Sequence, residues 1–119
     1  MMKQFFQNIS KISKLLYEQN KHELHDLGKT LFNLQRYGGR LFIIGVGGSA
    51  ANASHAVNDF RKLCGIEAYS FDNLAELTAR TNDEGWETIF ESWLMGNNLT
   101  GSDMVMVFSV GGGNQEKKV

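Results

Sequence analysis

Residues 40–63 read RLFIIGVGGSAANASHAVNDFRKL, and this stretch decides the fold. Leu41, Phe42, Ile43 and Ile44 form an unbroken apolar run, as expected of a parallel strand covered on both faces. Gly45, Gly47 and Gly48 follow and allow a sharp turn that exposes backbone N–H groups. Ser49 stands where a helix N-cap belongs. The helix beyond it offers free N–H groups and a positive dipole end, which favour a phosphate or carboxylate. The glycine order is neither the dinucleotide fingerprint nor the P-loop. Taken alone, the turn is either an anion site or a tight strand-to-helix connection.

The helix carries its polar residues on one face: Asn52, His55, Asn58 and Asp59 recur at spacings of three, three and one. Ala50, Ala53, Val57, Phe60 and Cys64 can fill the packed side. A polar face leading away from an anion-binding turn suits a sugar phosphate, which needs an anchor and partners for its hydroxyls. His55 and Asp59, one helical turn apart, are candidates for a proton-transfer pair; the alternative is an ordinary solvated face.

Working outward, residues 3–19 place Phe5, Ile9, Ile12 and Leu16 on one stripe, and residues 21–37 do the same with Leu24, Leu27, Leu31 and Leu34. Gly38 and Gly39 stop the second helix. Such long stripes exceed what a small sheet covers, so the first helix is expected to pack against another subunit; an intramolecular helical pair is the alternative. On the C-terminal side, residues 67–71 read as a short second strand. Asp72 or Asn73 caps a helix through Leu74, Leu77 and Thr78. Asp83 or Glu84 starts another helix, with Trp86, Ile89, Phe90, Trp93 and Leu94 as core. Residues 104–108, MVMVF, form a third buried strand, ending in a second glycine turn at residues 109–114, SVGGGN. Two glycine turns at the ends of parallel strands point to one crevice.

The chain has 119 residues and a formal charge of −1, enough for one domain and without the basic field that nucleic acid requires. Residues 1–40 hold seven Lys/Arg and three Asp/Glu, the remainder five and ten, an asymmetry assigned to solvated helix surface. The single cysteine, Cys64, rules out an internal disulfide and is expected to pack as a small hydrophobe. Nothing reads as a signal peptide or a membrane span, and a cytoplasmic protein is expected.

The run from Gly45 to Ser49, then Ala53-Ser54-His55, Asn58-Asp59, residues 82–86 (NDEGW) and the second glycine turn, resembles the sugar isomerase (SIS) domain, and within it the phosphoheptose isomerases. The resemblance implies a three-layer αβα fold with a flavodoxin-like parallel sheet. It implies a helical oligomerisation segment over residues 1–38 and the N-terminal part of a SIS domain over 39–119. Such domains have about five strands, so the chain looks C-terminally truncated.

The implied activity interconverts sedoheptulose 7-phosphate and a heptose 7-phosphate; a non-catalytic module binding a phosphosugar or a protein partner is the alternative. The implied substrate-binding residues are Gly47, Gly48, Ser49, Asn82, Asp83, Ser109, Gly111, Gly112, Gly113 and Asn114. Asp59, which replaces a family glutamate, and His55 are the implied catalytic pair. In some members the matching residues hold zinc, so His55 and Asp59 are also candidate metal ligands. The implied partners are a phosphorylated sugar and further copies of the chain, as a tetramer or dimer, with neither nucleic acid nor membrane.

Overall fold

A computed structural model describes residues 1–113. The chain divides into two compact units, Met1–Asn33 and Leu34–Val119. The first consists of helix. Helix α1 runs over Met2–Arg36, so the two stripes expected from the sequence lie on one continuous element. It is kinked at Asn20, where φ −122° and ψ 18° leave the helical region and the side-chain amide donates to Leu16 O at 2.8 Å. A side chain inserted into the helical ladder is an ordinary cause of a kink. The apolar stripe stays exposed: Phe5, Ile9, Ile12 and Leu16 each keep about half of their surface in solvent.

The second unit is α/β. Strands β1 (Arg40–Gly45), β2 (Glu67–Ser70) and β3 (Met104–Phe108) form a parallel sheet in the order β2-β1-β3. Leu41 pairs with Ala68 on one side and Met104 on the other. As the central strand, β1 is covered on both faces, and Leu41, Phe42 and Ile43 are fully buried, as the apolar run requires.

Helix α2 (Gly48–Cys64) packs on β1 and β2 through its buried Ala53 and Val57. Its C-terminus closes at Gly65, whose φ of 63° is left-handed. Cys64 is exposed there, contrary to the packed position expected, because the helix end turns that side chain to solvent.

Helix α3 (Leu74–Asp83) is capped by Asn73, whose side chain accepts from the N–H groups of Ala75 and Glu76. It runs through Asn82 and Asp83, so neither Asp83 nor Glu84 starts the next helix. That role falls after Gly85, at φ 94°, where a 3-10 turn (Trp86–Thr88) leads into α4 (Ile89–Gly96). Ile89 and Trp93 are buried, while Trp86 is only half-buried. The Trp93 ring meets Phe42 edge-on at 5.5 Å and stacks on Phe71 at 5.3 Å. These contacts seat α4 against the sheet with large apolar area and favourable ring geometry.

Candidate functional site

The chain leaves central β1 for β2 on one side of the sheet, then crosses to β3 on the other. Helix connections that diverge in this way open a crevice at the carboxyl ends of the strands. A cleft of about 850 Å³ lies there, between the ends of β1 and β3. Ile44, Gly45, Val46 and Ser49 form one wall. Val107, Ser109 and residues 110–113 form the other, and Phe90 of α4 contributes a side chain.

The first wall depends on a close approach. A Cβ on Gly45 would lie 2.7 Å from the backbone carbon of Ser49, so any larger residue would push α2 off the strand end. Gly47, at φ 60°, is the N-cap in place of the expected Ser49, and it provides no side-chain cap. Within this first turn, Ser49 N–H donates to Val46 O at 3.1 Å and Ala51 N–H to Gly47 O at 3.2 Å. No hydrogen bond joins the Ser49 hydroxyl to another described residue. A 17-residue helix thus directs an uncapped N-terminus and a half-buried hydroxyl at the cleft. Both favour an anion.

The second wall has a different internal order. Gly112 N–H donates to Ser109 Oγ at 2.9 Å, and Gly112 and Gly113 have φ of 69° and 96°. Positive φ is the backbone state for which glycine is suited.

Of the residues expected in the site, Ser49, Ser109, Gly111, Gly112 and Gly113 come together around the cleft. Gly47 and Gly48 lie in the adjoining turn at the start of α2. Asn82 and Asp83 sit at the end of α3, exposed and outside the cleft lining; the Asn82 amide donates to Asp83 Oδ1 at 2.8 Å. Asn114 lies outside the described residues. His55 Nε2 is 3.3 Å from Asp59 Oδ2, as the one-turn spacing predicts, but their side chains are 78% and 47% exposed and neither lines the cleft.

Among the described residues, no group of three or more His, Cys, Asp and Glu side chains is placed to hold a metal ion. His55 and Asp59 supply two of the at least three donors that zinc takes from protein. No helix of the described residues is long and apolar enough to cross a membrane.

Six apolar lining residues, Ile44, Val46, Phe90, Val107, Phe108 and Val110, were not expected in the site. Phe90 was legible only as one member of a core stripe, and it serves both purposes. Among the described residues, no charged side chain lines the cleft. What the described residues offer an anion there is backbone N–H groups, hydroxyls and the helix dipole.

The family model of the SIS domain matches residues 4–117. No curated protein matches the chain. Among solved structures, phosphoheptose isomerase GmhA from Neisseria gonorrhoeae superposes with a TM-score of 0.68 at 18% sequence identity. The match covers 92% of this chain and 61% of that one. At this identity the likeness concerns the fold.

Proposed function

The chain belongs to the SIS domain family, and from that premise we propose that its cleft binds the phosphate of a phosphorylated sugar as part of a phosphoheptose-type isomerase. The observation that carries the reading is the uncapped N-terminus of α2 meeting Ser49 and the Ser109 turn around one cavity. Phosphate would accept from the N–H groups of the first turn and from both serine hydroxyls.

Aldose–ketose isomerisation moves a proton between neighbouring carbons through an enediol. In this reading Asp59 takes the carbon-bound proton and returns it to the neighbouring carbon. His55, 3.3 Å away, would donate a proton to the carbonyl oxygen and take one back from the neighbouring hydroxyl, so that the pair ends the cycle as it began. The exposed apolar stripe of α1 supports self-association, and native mass spectrometry reading a single subunit mass would sink that part.

A specific observation favours a second reading, a phosphosugar-binding module without turnover: among the described residues, no titratable side chain lines the cleft, and His55 and Asp59 lie outside it. One experiment separates the two. Calorimetric titration with sedoheptulose 7-phosphate is followed by incubation in D₂O, with NMR reading deuterium at the carbons flanking the carbonyl. Binding with exchange supports the isomerase, and binding without exchange supports the module. No heat and no exchange overturns both.

A further inference from the structure

The two serines facing the cleft differ in what already occupies them. The Ser49 hydroxyl makes no hydrogen bond with a described residue and is free to meet a ligand. Ser109 Oγ already accepts the Gly112 N–H at 2.9 Å. That bond restrains an otherwise loosely held segment. Residues 110–113 are all exposed, three of the four are glycine, and two of those have positive φ. They make no backbone–backbone hydrogen bond with another described residue. A triple-glycine turn has the most conformational freedom to lose on ordering, so a single side-chain anchor has a large effect on its shape.

We infer that Ser109 is also a positioning residue: beside the contact that its own hydroxyl and that of Ser49 make, its oxygen holds the turn of residues 111–113 in the shape that faces a ligand. Two consequences follow from the geometry. The Gly112 N–H is already used, so the turn offers the N–H groups of Gly111 and Gly113 to an anion. The Ser109 proton, on an oxygen that already accepts a bond, becomes a better donor toward the cleft. The ligand half of the inference rests on the cleft being a phosphate site; the restraint on the turn does not.

The test begins without ligand. Solvent exchange of the Gly112 amide, read by NMR magnetisation transfer, is expected to rise about three- to tenfold in Ser109→Ala. It returns to the parent rate in Ser109→Thr, which keeps the oxygen, and stays at the parent rate in Ser49→Ala. Inorganic phosphate is then titrated into each variant. Both alanine variants weaken its binding, and Ser109→Thr retains it. An unchanged Gly112 rate in Ser109→Ala, or a rise that Thr does not reverse, overturns the assignment. Should Gly112 respond as expected while the parent chain binds no inorganic phosphate, the phosphate reading of the cleft is overturned and the restraint on the turn stands.

Discussion

Arg40 and Asp103 join the starts of β1 and β3 by a two-point ion pair: Nε donates to Oδ1 at 3.1 Å and Nη2 to Oδ2 at 2.6 Å. The Arg40 backbone N–H donates to the same Oδ1, and its guanidinium also reaches the carbonyls of Asn97 and Asn98 at the end of α4. Thr100 adds a backbone and a hydroxyl donor to Oδ2. Both carboxylate oxygens are fully engaged, and the side chain is 3% exposed. The pair thus ties together the three elements whose opposite ends frame the cleft.

This arrangement predicts an acid-sensitive fold. Hydrogen bonding from Arg40 holds the Asp103 carboxyl well below the usual carboxylate range, outweighing its desolvation. A lowered folded-state value stabilises the fold above the unfolded carboxylate pKa of about 4, and that contribution fades as pH falls below it. Asp103→Asn is expected to lower the melting temperature by about 5 °C or more at pH 7. It should also flatten the fall in stability between about pH 4 and pH 2, read by thermal melts across that window. Parallel melting curves for parent and variant would contradict the assignment.

Ile89 is fully buried where α4 begins, next to Phe90 of the cleft. Ile89→Ala leaves a cavity in a packed interior and is expected to cost about 2–5 kcal/mol. Urea denaturation measures it, and a change under about 1 kcal/mol would show that the site collapses around the deletion.

Gly45→Ala tests the close approach of α2. The added methyl meets the Ser49 backbone, which cannot swing aside as a side-chain tip can. Overpacking of this kind costs about 1–3 kcal/mol. Because the displaced atoms belong to the first wall, weaker phosphate binding is expected alongside the lower melting point. Stability and binding that both match the parent would place α2 farther from the strand than described.

His55→Ala separates binding from chemistry. The ring and its Asp59 partner are exposed, so removing it should change stability by less than about 0.5 kcal/mol and leave phosphate affinity at the parent value. The same change is expected to slow carbon–deuterium exchange with sedoheptulose 7-phosphate about a hundredfold or more. Turnover at the parent rate would remove His55 from the reaction.

The backbone plan was legible where physics acts locally. The β1 run, the Asn73 cap and the third strand depend on neighbours within a few residues, and each lies where the pattern set it; β3 is not buried as expected, however, because it is an edge strand and leaves Val105 and Val107 exposed. The N-cap moved from Ser49 to Gly47 because the glycines let the helix begin two residues earlier, at Gly48. The kink at Asn20 was hidden because a polar residue in a stripe looks alike whether it faces solvent or bonds back to Leu16. The cleft was legible only through its glycines and serines. Phe90 and Val107 read as ordinary core, and what makes them cleft residues is the sheet order, a non-local property. The Arg40–Asp103 pair spans 63 residues and leaves no local trace.

That same separation orders the assembly of the molecule in time. Leu41 pairs with Ala68 across one intervening helix, whereas its pairing with Met104 must close a loop more than twice as long. Longer closures lose more chain entropy before any contact rewards them. β3 is therefore expected to dock onto a β1–α2–β2 nucleus already formed, with φ-values near zero at Val105 and higher at Ala68 as the check. Because the cleft lies between β1 and β3, it comes into existence only at this last step. A ligand held there binds the finished chain alone, and so acts as a latch on the final stage of folding.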